Sequence, residues 1–472
     1  MLFTSPVYYI FLLSAFLLFS AARSNNYKKI LLAIASAVFC ISFSWLSFFV
    51  LIFSGIINYF LLSKLHQATD KKVKTRIYYA GVVFNILILL SYKLLQVLLP
   101  KNTQEIGFIH EYLVLLGVGF YVLQAIGYFF EVYKKKTAFS LSPLEFYLSL
   151  AFFAKLPAGP ILQMKQVPEI IPGYDTGEWK ANLSYAIQRI LLGLFKKIAL
   201  ADRLGYYVGL VFDDHSYLNG LSIYLSPILF TLQLYFDFSG LIDIAIGSAR
   251  LFGIRLPENF NFPLRATSIT EFWRRWHMSL INWLTQYIFY PLSFRLRKMR
   301  QRGLAIAVII TFLISAAWHG LAVTFFAWAL CHIIYIVIEH WVFKGGRNSG
   351  PVPSLIRVFI VLHLVAFANL FFRAESLDDA ARLITDFSNL PFLYPDGSSF
   401  KSWLINGSQD IEAEFNFRLS VLLCILFLIF ERRIYRYASS EKYRIGYVAA
   451  MVIMIVVFGF FHSGKNFIYA SF

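Results

Sequence analysis

The sequence predicts an all-α, polytopic membrane protein, and three observations support this prediction. Of the 472 residues, 58% are hydrophobic and only 15% are charged, which lies outside the range of soluble domains. Apolar stretches long enough to cross a hydrocarbon core recur from end to end. These stretches are apolar all round, whereas barrel strands would alternate with a period of two. We predict roughly 10–13 spanning helices, some of them short or re-entrant.

Two apolar stretches define the first elements. Residues 30–62 are long enough for two spans, with a tight turn near Ser44 and Trp45. Residues 1–22 carry no charged side chain, so they lack the basic region of a cleavable signal peptide, and Arg23 follows the apolar stretch. We therefore expect the first span to be a signal anchor with its N-terminus outside.

The net charge of +17 comes largely from clusters between the predicted spans. Under the positive-inside rule such clusters mark cytoplasmic loops, and they lie at residues 64–76, 134–136, 295–302, 344–347 and 432–444. This explains the charge without a nucleic-acid partner. Residues 374–414 carry a net charge of −6 and are predicted to form an extracytoplasmic loop.

The chain is predicted to form one integral membrane domain (residues 1–472) in three parts. Residues 1–140 contain plain spans, residues 141–322 contain spans interrupted by proline, glycine and polar groups, and residues 323–472 return to plain spans. Function is expected in the middle part, because irregular backbone at membrane depth must be buried in protein or line a cavity. The three cysteines lie in apolar runs and are interpreted as packing residues, not as disulfide or metal ligands.

Two histidines in the middle part are candidate catalytic residues. His319 ends an apolar run that begins near Leu304, which places it toward the outer end of a span. Burial favours a neutral imidazole, which can accept a proton from a hydroxyl that attacks a thioester; a packing histidine is the alternative. His277 follows Trp273 and Trp276 at helical spacing, so the three side chains would share one face. That helix is either an interfacial anchor or the roof of a cavity, with Arg274 or Arg275 binding phosphate or carboxylate.

Charged residues inside apolar stretches complete the candidate set. Asp237 and Asp243 are expected to belong to a structural polar network, with Arg250 or Arg255 as nearby cations. Two prolines flank Gly159 after Lys155, which predicts a broken or re-entrant helix; Lys155 either lines a tunnel or extends to the interface. The cations of residues 194–203 either bind a phosphate-bearing donor or act as topogenic charge.

Six of these segments occur in an order that resembles the membrane-bound O-acyltransferase family, in particular its bacterial alginate-acetylation branch. They span most of residues 150–322 and are residues 152–161, 196–202, 235–247, 251–263, 268–292 and 318–320. The chain departs from the branch at Ala316–Ala317, a mild change in helix packing. It also departs at Leu241–Ile242, where two hydroxyl-bearing residues are commonly found, and this predicts an altered acceptor or partner surface.

The resemblance implies a ring of helices around a thinned centre and a tunnel. In that family the donor reaches the catalytic histidine, here His319, from the cytoplasm, and the acceptor approaches from outside. His277 matches the second histidine of the family's "WHxS/T" segment. The expected supporting residues of the tunnel are Trp318, Asp237, Asp243, Trp273, Trp276 and Arg274. Tyr469 is either an acyl relay or part of an aromatic belt at the interface.

The resulting hypothesis is an acetyltransferase in a bacterial inner membrane. Acetyl-CoA is expected as donor substrate, with no permanently bound cofactor and no metal. His319 would act as general base and His277 would position the donor or the hydroxyl. Membrane lipid, an extracytoplasmic polysaccharide acceptor and a periplasmic or extracellular acyltransferase are the expected partners. Two alternatives stay open: D-alanyl transfer from a carrier protein to teichoic acid, and transport of polysaccharide or lipid, although no internal repeat supports a transporter.

Overall fold

The computed structural model describes residues 1–98, 115–171, 179–213, 220–342, 353–389, 411–438, 440 and 442–460. Helices dominate these residues, and they contain no strand. The all-α prediction is therefore confirmed. The three cysteines are free, and Cys40 and Cys424 are buried in the core, as expected of packing residues.

Among its described residues, the N-terminal part contains five long helices. They are α1 (Pro6–Ala21), α2 (Asn25–Phe43), α3 (Trp45–Gln67), α4 (Lys71–Leu98) and α5 (Val118–Tyr133). Ser44 separates α2 from α3 in an extended conformation (φ −163°), and its hydroxyl accepts a hydrogen bond from the Ser47 amide. This confirms the predicted division of residues 30–62 into two helices, because one serine both ends the first helix and caps the second.

The middle part is interrupted repeatedly. Its helices are α6 (Pro143–Ala151), α7 (Trp179–Leu194), α8 (Asp202–Asp213), α9 (Gly220–Leu251), α10 (Ile269–Arg275), α11 (Met278–Leu284), α12 (Tyr290–Arg295) and α13 (Arg300–His319). Two π-helical segments, Phe195–Ala201 and Thr285–Phe289, join α7 to α8 and α11 to α12. Short 3₁₀ segments occur at Met164–Ile170, Pro263–Arg265 and Arg297–Met299. The broken spans predicted for this part are therefore present.

The C-terminal part returns to longer helices. They are α14 (Val323–Val342), α15 (Ser354–Arg373), α16 (Leu377–Asn389), α17 (Ile411–Ala438) and α18 (Arg444–Phe458). Helix α16 covers the first half of the predicted acidic loop and is amphipathic, with Ala380 and Leu383 fully buried. Residues 390–410 of that loop lie outside the described residues.

Within the described residues, seven helices are long and apolar enough to cross a membrane. They are Asn25–Phe43, Trp45–Gln67, Lys71–Leu98, Ile223–Leu251, Arg297–His319, Val323–His340 and Ser354–Arg373. Three shorter apolar helices, Pro6–Ala21, Val118–Tyr133 and Arg444–Phe458, accompany them. The chain is therefore a multi-pass membrane protein.

Helix α9 forms the centre of the molecule. In its apolar stretch, 89% of the residues are buried. In the other long spans this buried share is only 22% to 39%, so those helices expose one side outward. It packs against α7, α8, α15 and the first π segment. Close packing against α7 requires glycine: a Cβ added to Gly240 would lie 2.8 Å from the Gly193 carbonyl oxygen.

We predict that Gly240→Ala lowers the stability of the folded protein by about 1–3 kcal/mol, because α7 and α9 must separate to admit the methyl group. The matched control is Gly55→Ala in α3, where an added Cβ meets nothing within 4 Å. The control should be neutral or slightly stabilising, since alanine has the higher helix propensity. Thermal unfolding of the two purified variants measures the difference. Equal melting temperatures would contradict the role of this contact.

Candidate active site

A buried ion cluster joins α7, the first π segment and α9. The Asp243 carboxylate lies 2.5 Å from the Arg189 guanidinium and 2.8 Å from the Lys196 ammonium, and all three side chains are at most 2% exposed. Lys197 pairs with Asp237 at 2.7 Å and with Asp202 at 2.9 Å. Both aspartates thus lie in a polar network, as expected, and its cations include Arg189, Lys196 and Lys197. Pairing with Arg250 or Arg255 stays a prediction.

Of the two alternatives for the cations of residues 194–203, topogenic charge is wrong for the two lysines. Lys196 and Lys197 are 0% and 2% exposed and face the centre of the protein. They follow each other in a π-helical segment, a geometry that often occurs at functional sites. The sequence did not indicate Arg189, the third cation of the cluster.

The ion cluster extends to a loop and to a C-terminal helix. Arg189 also pairs with Glu258, 2.9 Å away, in the loop that follows α9. The Tyr435 hydroxyl of α17 donates to the Asp243 carboxylate at 3.1 Å and accepts from Lys196 at 2.6 Å. One carboxylate therefore holds together residues that are far apart in the sequence.

Residues 152–163 after α6 form a buried non-helical segment, which confirms the predicted helix break. Lys155 does not extend to an interface, so that alternative was wrong. It is 4% exposed, and its ammonium donates to the Gln124 side-chain oxygen at 3.0 Å. Gln124 also donates to the Ser149 carbonyl of α6 at 2.7 Å, so one side chain of α5 holds both α6 and the segment that follows it.

His277 lies at a break between two short helices. Helix α10 ends at Arg275, Trp276 is extended, and His277 adopts the left-handed conformation (φ 42°, ψ 52°) at the start of α11. The predicted shared face with Trp273 and Trp276 was therefore wrong, because the helical spacing stops before the histidine. A left-handed non-glycine residue costs conformational energy and is often found at functional sites.

The loop after α9 holds His277 in place. The Asn259 side-chain oxygen lies 3.4 Å from Nδ1 of His277 and accepts a hydrogen bond from the Ser279 amide at 2.9 Å. The Asn259 carbonyl accepts from the Met278 amide, also at 2.9 Å. Asn259 is fully buried. It lies in a motif that supported the family resemblance, but the sequence alone did not indicate this contact.

The two candidate histidines pack against one indole. The Trp318 ring centroid lies 4.7 Å from that of His319 and 6.1 Å from that of His277. The Trp318 Nε1 donates to the Gly119 carbonyl at 3.0 Å, which fixes the ring. The structure therefore brings together two residues 42 positions apart in the sequence, as their predicted shared role requires.

Aromatic rings surround the His319 imidazole at the last position of α13. The Phe372 and Trp328 centroids lie 5.1 Å and 5.3 Å away, and the histidine is 5% exposed. Lys93 of α4 is buried beside it and donates to the His319 carbonyl at 3.0 Å. A cation suits the C-terminal end of a helix, where the peptide dipoles leave partial negative charge.

The remaining residues that were predicted to support the tunnel differ in burial and in their contacts. Trp276 is buried, and the Trp273 Nε1 donates to His332 at 3.3 Å. Arg274 is exposed, so no buried anion site forms around it. Arg275 pairs with Glu271 at 2.5 Å. Partial burial raises the pKa of Glu271, but hydrogen bonds from Thr267 and the charge of Arg275 outweigh this and lower the pKa overall.

Two cavities adjoin the His277 break, and Glu258 lines both of them. One has a volume of about 340 Å³ and is lined by Tyr185, Arg189, Tyr235, Glu258, Phe260, Asn261, Phe262, Met278 and Tyr435. The other measures about 260 Å³, and its lining includes Lys165, Gln166, Glu258, Ser279, Asn282 and Gln286. His319 lines neither cavity. Met278 and Ser279, which do, directly follow His277, and Trp318 connects His277 to His319 through ring contacts. Tyr469 lies outside the described residues.

Comparisons with known proteins agree with the resemblance inferred from the ordered motifs. Residues 59–373 match the model of MBOAT, the membrane-bound O-acyltransferase family. The chain is 27% identical to the peptidoglycan O-acetyltransferase of Helicobacter pylori, over 100% of this chain and 97% of that protein. It is 31% identical to "Probable alginate O-acetylase" of Pseudomonas syringae, over 81% and 74%. Identity to the teichoic acid D-alanyltransferase of Bacillus subtilis is 25%, over 56% and 70%.

We predict that Asp243→Asn destabilises the protein by about 3–5 kcal/mol, because Arg189 and Lys196 then lose their shared buried counter-charge. The control is Lys29→Gln, which breaks the partly exposed pair with Glu145 (18% and 20% exposed). The control should change stability by less than about 1 kcal/mol. Thermal unfolding and the yield of monodisperse protein compare the two. If both variants lost a similar amount of stability, the buried cluster would contribute no more to the fold than the partly exposed pair does.

Proposed function

Because this chain belongs to the membrane-bound O-acyltransferase family and is an O-acyltransferase, we propose that it moves acetyl groups across the membrane. The acetyl group comes from a thioester supplied on the cytoplasmic side. It is received by a hydroxyl of an extracytoplasmic polysaccharide, directly or through a partner protein.

The observation that carries this proposal is the shared packing of His277 and His319 against Trp318. His319 ends α13, whose other end follows the basic residues 295–302 that are predicted to be cytoplasmic. The cavities lie on the His277 side, and Tyr435, which lines one of them, belongs to the basic segment 432–444. Donor access from the cytoplasm and acceptor access from outside would therefore meet at the two histidines.

The proposed reaction uses His319 as general base. Its imidazole takes the proton of the attacking hydroxyl while the hydroxyl oxygen bonds to the thioester carbonyl carbon. The carbon–sulfur bond then breaks, and the proton passes to the departing thiolate, which leaves the ester and free thiol as products. The surrounding aromatic rings exclude water, and this protects the thioester from hydrolysis. His277 holds one substrate beside the reacting atoms.

The donor is proposed to be acetyl-CoA, acting as a substrate and not as a resident cofactor. Its arm is long, amide-rich and linked to phosphates, and the two cavities that Glu258 lines offer polar side chains together with the cations Arg189 and Lys165. His319 is 5% exposed and lines neither cavity, so the donor must displace side chains to reach it. Support by Trp273, Trp276 and the two aspartates is indirect, through the packing described above.

The acceptor is proposed to be a cell-envelope polysaccharide, because the names of the relatives specify alginate and peptidoglycan. The relatives come from bacteria, and we place this protein in the bacterial inner membrane. A periplasmic or extracellular acyltransferase that completes the transfer, and an acyl relay at Tyr469, remain proposals. Because the chain belongs to an acyltransferase family, we propose acyl transfer and not the transport of polysaccharide or lipid. Mass spectrometry of the modified glycan separates acetyl from D-alanyl transfer.

We predict that His319→Ala abolishes transfer of labelled acetyl groups from acetyl-CoA to envelope polysaccharide, by a factor of about 10²–10⁴ or more. His277→Ala should also lower the rate, with a change in KM for one substrate. Protein abundance and thermal stability are measured alongside activity in washed membranes.

His363→Ala is the control for loss of a histidine, because His363 hydrogen-bonds Tyr224 at 2.6 Å in another part of the protein. It should keep normal transfer. Normal acetylation by a stable His319→Ala protein would end the proposal. Transfer of D-alanine but not of acetate by the unaltered protein would replace the donor while keeping the histidine chemistry.

A further inference from the structure

The loop between α9 and α10 contains one side chain that contacts His277 directly. Asn259 is 0% exposed, and its side-chain oxygen lies 3.4 Å from Nδ1 of His277, a long hydrogen bond. The next residue toward the N-terminus, Glu258, is paired with Arg189 of the ion cluster. The loop is thus anchored on one side by a buried ion pair and meets the histidine on the other.

The orientation of the Asn259 amide follows from an unambiguous donor. The backbone N–H of Ser279 can only donate, and it points at the Asn259 side-chain oxygen from 2.9 Å. Reversing the amide would place its NH₂ group against this N–H. The Met278 amide holds the Asn259 backbone carbonyl in the same way, at 2.9 Å. The atom that faces Nδ1 of His277 is therefore an acceptor.

An acceptor beside Nδ1 determines where the neutral imidazole carries its single proton. We propose that Asn259 is a positioning residue that keeps the proton of His277 on Nδ1 and leaves Nε2 as a hydrogen-bond acceptor. This inference rests on the proposed acetyl transfer and specifies it further. The substrate group that meets Nε2 must be a donor, either an amide N–H of the thioester's arm or the attacking hydroxyl. It cannot be the thioester carbonyl oxygen.

The remaining polar atom of Asn259 argues against a purely structural role. The amide nitrogen is buried and has no hydrogen-bond partner among the described residues. An unsatisfied buried donor lowers the stability of the folded protein by about 1–3 kcal/mol, so an asparagine that only anchored the loop would be unfavourable here. The position requires the side-chain oxygen of Asn259, because that oxygen faces both the Ser279 amide and Nδ1 of His277.

The test compares Asn259→Leu with Asn259→Asp in the full-length protein in detergent or liposomes. Leucine has a similar size but no acceptor, so kcat should fall about 100-fold, because His277 then no longer holds its substrate in register with the reacting atoms. Aspartate keeps an acceptor toward both Ser279 and His277. The kcat of Asn259→Asp should therefore be at least about tenfold higher than that of Asn259→Leu.

The pH profile provides a readout that simple loss of structure would not produce. The carboxylate that Asn259→Asp introduces would favour the protonated imidazole of His277. Activity that needs neutral His277 should therefore be lost at a higher pH on acidification than in the unaltered protein. KM is measured for the thioester and for the acceptor separately, and the one that rises identifies the source of the donated hydrogen bond.

The control variant is Asn58→Leu, which removes a buried amide that hydrogen-bonds Asn85 at 3.2 Å, away from the histidines. It should lower stability and leave kcat and the pH profile unchanged. Asn259→Leu with a normal kcat, or Asn259→Asp with the leucine variant's rate and no pH shift, would overturn the inference. If Asn259→Leu fails to fold, the pH profile of Asn259→Asp decides alone. Failure of the unaltered protein to transfer acetyl groups would instead reject the proposed function.

Discussion

Neutralisation of buried charge is the constraint on which the centre of this protein depends. Arg189 and Lys196 lie fully inside a protein whose surroundings are apolar, and Asp243 is the carboxylate that both of them share. An isolated buried ion would cost several kcal/mol, so the three side chains must stay together. Because they lie on α7, a π segment and α9, their pairing fixes the relative position of these elements.

A series of side-chain contacts connects this ion cluster to the candidate site. Arg189 also holds Glu258, and the next residue, Asn259, contacts His277. His277 shares the Trp318 indole with His319. A rigid ionic centre thus supports a left-handed histidine that has no regular helix to hold it. This is how an irregular backbone segment can keep a candidate catalytic side chain in one orientation.

The sequence was a good guide where a local signal exists. The proline-flanked Gly159 predicted the helix break before it was seen, and the apolar run that ends at His319 predicted the last residue of α13. The periodic argument failed at His277, because it assumed an unbroken helix through Trp276. For Lys155, Lys196 and Lys197 an interfacial or topogenic role stayed open beside a functional one, since sequence cannot show whether a cation in an apolar stretch has a buried partner.

The sequence by itself determined the all-α membrane class, the interrupted middle part and the ordered family motifs, and it indicated the two histidines as candidates. Each of these is a property of composition or of residues close together in the chain. Only the tertiary structure decided that Asp243 pairs with Arg189 and Lys196, and that Asn259 contacts His277. Such pairs join residues 18 to 54 positions apart. Their energies depend on distance and burial in the folded protein, which no local pattern encodes.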